Sequence, residues 1–210
     1  MLTIWGRHNS VNVQKVLWCC AELNLQFHRI DAGLEFGLNG EPAYLALNPN
    51  GRVPTLVDDD FVLWESNSII RYLAMQYGEN ETTLYPQAPK LRASIDRWLD
   101  WTLSTLQPAE RPVFWGFVRT PAHERNYPDL EASARRVAEF WAILDKHLDR
   151  RSFMEGEAFS LADLVLAAYA RRWFGIQDLT DRPRLSNLEG WYRRMSERPA
   201  FLRYLAAPLS

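Results

Sequence analysis

The chain has 210 residues, 47% of them hydrophobic, with a formal net charge of −2. This is the composition of a globular protein with a packed core, and so small a net charge gives nucleic acid or an anionic membrane no electrostatic reason to bind. No apolar run approaches the roughly 20 residues of a membrane span, and the opening MLTIWGRHNS lacks the apolar stretch and cleavage site of a secretory leader, so a cytoplasmic location is expected.

The first 78 residues alternate strand and helix signals. Leu2 to Trp5 is a short apolar strand, and Val13 to Leu23 spaces its apolar residues as a helix does. Cys19 and Cys20 fall inside that helix, where adjacent side chains diverge. They suit a core better than a disulfide or a metal, and no metal is expected. Gln26 to Asp31 alternates like a half-buried strand, and Pro42 to Leu47 reads as a short helix before the turn Asn48-Pro49-Asn50-Gly51. Thr55 to Val57 and Phe61 to Trp64 flank Asp58-Asp59-Asp60 as a hairpin, and Ser66 to Tyr77 is a helix with a serine suited to its start. The order is β-α-β-α-β-β-α, the thioredoxin-like layout.

Periodicity then fades over 79–89, a segment with Pro86 and Pro89 that reads as a linker. From 90 to 210 every long segment is helical: Leu91 to Leu106, Asp129 to Leu148, Ser160 to Phe174, Leu185 to Arg198 and a short Ala200 to Leu205. Pro108 and Pro112 are expected to bend or end the first of these helices. The predicted architecture is thus an α/β domain over 1–78 and an all-α bundle over 90–210.

Three local patterns follow one another along the chain. Arg52-Val53-Pro54-Thr55-Leu56-Val57 sets a proline immediately before a strand. Trp64-Glu65-Ser66-Asn67-Ser68 runs a strand directly into a helix, whose unsatisfied N–H groups and dipole attract a carboxylate. The same serine also fits a plain cap. Phe159-Ser160-Leu161-Ala162-Asp163 is a capping box in which Asp stands in the usual Glu place.

In this order the three patterns resemble the glutathione transferase family, over essentially the whole chain. The resemblance implies a cis bond before Pro54 and a backbone at Val53 open to the cysteinyl part of glutathione, which adds like a short strand. It implies that Ser66 and Asn67 hold the γ-glutamyl carboxylate and that Glu65 holds the γ-glutamyl amine. Where the first strand meets the first helix, Ser10 resembles the activating serine of delta- and theta-like members, and Asn12 the asparagine of some bacterial ones. Either residue also fits as a helix cap. Arg52 is a candidate for the glycyl carboxylate, and Asp100 for the γ-glutamyl amine across a dimer interface. Trp101, Leu106, Phe114, Trp115 and Phe117 are candidates for the wall of an electrophile pocket, with core packing as the alternative for each.

The expected activity is attack of bound glutathione thiolate on an electrophilic, largely apolar small molecule by a homodimer, with glutathione as co-substrate. Glutathione-dependent disulfide or peroxide reduction at the same site is the second reading, and a non-catalytic protein-binding module the third. No Cys-x-x-Cys occurs, and no cysteine stands at the catalytic position, so chemistry through a protein thiol is not expected.

Overall fold

The computed structural model describes residues 1–78, 84–179 and 181–210. The chain divides into two compact units, Met1–Tyr85 and Pro86–Ser210. Residues 79–83 of the expected linker lie outside the described residues.

The first unit contains β1 (Leu2–Trp5), α1 (Val11–Glu22), β2 (Phe27–Ile30), α2 (Pro42–Leu47), β3 (Thr55–Asp58), β4 (Phe61–Trp64) and α3 (Ser66–Tyr77). The strands form one mixed sheet in the order β2-β1-β3-β4, with β1 and β2 parallel and the other pairs antiparallel. The α1 side chains Val13, Val16, Leu17 and Trp18 are fully or almost fully buried, as are Ile69, Ile70 and Leu73 of α3. The two helices pack together beside Ile4 and Leu56 of the sheet. Burying side chains of this size stabilises the unit by about 1.5–3 kcal/mol each.

Gly6 links β1 to α1 at a close approach: a Cβ there would lie 2.4 Å from a Val13 methyl and 3.2 Å from the Val53 Cβ. Only glycine lets this loop lie against the residue that precedes Pro54.

The second unit contains α4 (Pro89–Trp101), α5 (Gln107–Phe114), α6 (Tyr127–His147), α7 (Leu161–Gly175), α8 (Ser186–Ser196) and α9 (Pro199–Tyr204). Helix α7 is buried almost all round and forms the centre of this unit. At its start the Asp163 carboxylate accepts from the backbone N–H and hydroxyl of Ser160 at 3.0 Å each. It also accepts from the Met154 N–H and Trp191 Nε1 at 2.8 Å each. The capping box thus ties α7 to α8 and to the loop before it.

Of the two outcomes expected at Pro108 and Pro112, a bend or an end, the end is not found. Neither Pro108 nor Pro112 ends the helix that begins at Pro89, which continues with helical backbone to Arg119. Two π-helical turns, Thr102–Leu106 and Trp115–Arg119, flank α5. The wider turn before α5 relieves the clash between the Pro108 ring and the preceding carbonyls, and Pro108 then sits in the first turn of α5. Further along, Gly116 leaves room for Leu130 of α6, whose methyl would lie 2.1 Å from an added Cβ. Among the described residues no helix is long and apolar enough to cross a membrane.

Candidate functional site

The strand register decides where the sequence motifs meet. Trp5 pairs with Thr55, and Thr55 with Trp64, so these three residues form one row across the sheet. The β1–α1 turn leading to Ser10 leaves this row from Trp5. Val53-Pro54 enters it just before Thr55, and Glu65-Ser66 leaves it after Trp64. All three segments therefore lie at the same end of the sheet, spaced by neighbouring strands about 4.8 Å apart. An extended tripeptide spans about 10 Å and matches that row.

Ser10 precedes α1 with extended backbone and is 7% exposed. Its carbonyl accepts from the Gln14 N–H at 2.8 Å, but its hydroxyl makes no capping hydrogen bond. Asn12 lies half-buried in the first turn of α1. A hydroxyl at a helix start, uncommitted to the helix, is free to donate to an anion held there.

The Val53–Pro54 peptide bond is cis. Among the described residues the N–H and C=O of Val53 have no hydrogen-bond partner. Their position is set by side chains behind them. The Tyr44 hydroxyl donates to the Arg52 carbonyl at 2.6 Å and lies 2.8 Å from Thr55 Oγ1. Asn48 Nδ2 donates to the same two oxygens at 2.8 and 3.0 Å. Both side chains are almost completely buried, and the Tyr44 ring meets Trp5 edge-on at 5.7 Å. Asn48 thus does more than form the turn expected of Asn48-Pro49-Asn50-Gly51. The supporting role of Tyr44 and Asn48 carries no local signal, because their partners are brought to them by the fold. Arg52 itself is exposed on this loop.

At the third position Glu65 holds φ +70° and ψ 110°, a conformation costly for a residue with a Cβ. Its carboxylate is exposed, while Ser66 and Asn67 are buried at the start of α3. The Ser66 hydroxyl has no hydrogen-bond partner among the described residues. Arg7, on the β1–α1 turn, also reaches toward the Val53 loop. Its Nη1 lies 3.5 Å from the place a Cβ on Gly33 would take, and the Val53 side chain is equally close to that place.

In the second unit Leu106, Phe114 and Phe117 are buried, Trp101 is half-buried and Trp115 is exposed. Trp101 meets Trp98 and Phe140, and the Arg119 guanidinium lies 4.7 Å over the Trp115 ring. Asp100 is exposed near the end of α4. A cavity of about 460 Å³ within this unit has walls that include Pro108, Pro112, Ser133, Arg136 and Phe140, and none of the five expected electrophile-wall residues lines it. Cys19 and Cys20 are completely buried, and burial pushes both thiols up, Cys20 to about 12, so neither is a nucleophile at neutral pH. Among the described residues no group of His, Cys, Asp and Glu could hold a metal ion.

The chain matches the family model of the glutathione S-transferase N-terminal domain over residues 9–76 and that of the C-terminal domain over 102–199. It belongs to the glutathione S-transferase family. It is 42% identical to glutathione S-transferase GstB of Escherichia coli strain K12 over 212 residues, covering all of both chains. Glutathione S-transferase 3 of Zea mays is 32% identical over 98% of this chain and 94% of its own length. Among solved structures, the theta class glutathione S-transferase of Xanthomonas axonopodis pv. citri with glutathione bound superposes with a TM-score of 0.93. It is 45% identical over 100% of this chain and 99% of that one. The thioredoxin-like first unit and helical second unit are the two domains of this family.

Proposed function

We propose that this chain is a glutathione transferase in which bound glutathione thiolate attacks an electrophilic, largely apolar small molecule. The observation that carries the proposal is that the turn leading to Ser10, the unpaired Val53 backbone and the start of α3 all leave the sheet at the same end, from the row Trp5, Thr55 and Trp64. Glutathione lies along that row as an added strand. Its cysteinyl backbone pairs with Val53, and its γ-glutamyl carboxylate takes the N–H groups and hydroxyl at Ser66, with Asn67 beside it. Glu65 holds the γ-glutamyl amine, and Arg52 reaches the glycyl carboxylate. The relative crystallised with glutathione bound supports this choice of co-substrate.

The chemistry required of the protein is stabilisation of an anion. A free thiol with a pKa near 8.5 is only a few per cent thiolate at neutral pH. Lowering that value by about two units makes thiolate the main form and needs roughly 2.7 kcal/mol of preferential stabilisation. The Ser10 hydroxyl donates to the sulfur, the positive end of α1 adds its dipole, and Asn12 is a second donor on the same turn. The thiol proton leaves to solvent. The sulfur lone pair then forms the new carbon–sulfur bond as the leaving group departs with its electron pair.

The test is Ser10→Ala. With the fold intact, the pKa of bound glutathione rises, and the conjugation rate with a chlorodinitroarene falls by about ten- to a hundredfold, the worth of one hydrogen bond to a charged group. An unchanged thiol titration removes Ser10 from the mechanism.

A further inference from the structure

Lys15 has no exposed surface. It lies on α1 five residues after Ser10, about 7.5 Å further along the helix axis. Its Nζ donates to Asn67 Oδ1 at 2.9 Å, and Asn67, itself 2% exposed, is the second residue of α3, next to Ser66. This hydrogen bond joins the two helices close to both of their starts.

We propose that Lys15 is a positioning residue of the glutathione cradle. By holding Asn67 it sets the start of α3 against α1, and with it the separation between the helix end that takes the sulfur and the one that takes the γ-glutamyl carboxylate. The inference rests on the cradle described under the proposed function.

Packing alone does not account for an amine here. Removing its donors from water is costly, and an unbranched apolar side chain of similar length fills the same space without that cost. Apart from Gln14, Ser66 and Asn67, the other buried residues of α1 and α3 are apolar or nearly so, and the Cys19 Sγ lies 3.8 Å from the Ile70 carbonyl. A directed donor does what apolar contact cannot: it fixes the rotation and the height of one helix start relative to the other. A ligand held at both ends is sensitive to that separation, because a small displacement at either end breaks a directional contact. Asn67 answers the same geometry from the other side, with its carbonyl oxygen turned inward to Lys15.

The experiment is calorimetric titration of the full chain with glutathione for wild type, Lys15→Met and Lys15→Arg, alongside thermal melting and steady-state kinetics. Lys15→Met is expected to weaken glutathione binding by about tenfold and to raise the KM for glutathione while leaving the KM for the arene unchanged. Lys15→Arg, which restores a donor, recovers most of the affinity. Where Lys15→Met does not fold, the shorter apolar Lys15→Leu removes the donor instead and is expected to weaken binding in the same way. Wild-type affinity in a folded Lys15→Met or Lys15→Leu variant overturns the proposal. Absence of glutathione binding by the wild type itself overturns the cradle, so the two failures are separable.

Discussion

Ser10 and Glu65 sit at comparable places, one before α1 and the other before α3, and both depart from what a helix start requires. Ser10 has the residue type and backbone of an N-cap but leaves its hydroxyl out of the helix. Glu65 keeps a positive φ that glycine would adopt without strain. Such departures persist where they serve a ligand rather than the fold. The expectation for Glu65→Gly therefore has two parts of opposite sign. Relief of the backbone stabilises the protein by about 1 kcal/mol, while loss of the carboxylate weakens glutathione binding. Melting and calorimetry on the same sample check both, and a variant that is less stable and binds as well contradicts this account of Glu65.

At the scale of elements, the start of α7 makes stability depend on pH. Burial raises Asp163 from the ordinary 3.8 to about 6, against the pull of its hydrogen bonds from Trp191, Met154 and Ser160. An acid whose folded value is raised binds more protons folded than unfolded between those two values. Its contribution to stability is full below 3.8 and is lost as pH rises through 6. Urea midpoints are thus expected to gain from this group as pH falls from 7 to 5. Asp163→Asn flattens that slope and costs about 1–3 kcal/mol, because an amide cannot accept from all four donors. An unchanged slope in the variant excludes Asp163 as its source.

The same scale shows how much was legible in the sequence. The strands and α-helices of the first unit follow from period and turn residues, and the Ser160 box follows from spacing alone, because these are local properties; the short 3-10 helix Leu34–Phe36 does not, and neither Ser10 nor Ser66 makes the capping bond its residue type suggests. The continuous helix through Pro108 and Pro112 was not legible, since the π turn that precedes Pro108 has no signature in the residues themselves and Pro112 stands inside α5. Nor was the inward face of that helix. Leu106, Phe114 and Phe117 face the core while the neighbouring Pro108 and Pro112 line a cavity, and only the packing of α6 and α7 decides between the two. Lys15, Tyr44 and Asn48 are silent for the same reason: each acts on a partner from another element.

For the whole molecule, the first unit presents an apolar patch to solvent. Phe61 and Tyr77 are more than a third exposed, and each makes a ring contact with Tyr72 between them. Met75 on the same helix is 55% exposed. We expect a homodimer that covers this patch on β4 and α3. Light scattering is expected to give twice the 24.5 kDa chain mass, and Phe61→Asp to shift the protein toward the monomer. A wild-type monomer at high concentration contradicts this.

The central claim, that glutathione lies along one end of the small sheet with its sulfur at the start of α1, is tested most directly by a crystal structure of the protein with glutathione. The account predicts the sulfur within about 3.5 Å of the Ser10 hydroxyl, the cysteinyl backbone paired with Val53, and the γ-glutamyl carboxylate at Ser66. Glutathione bound elsewhere, or bound here with its sulfur turned away from the start of α1, would contradict it.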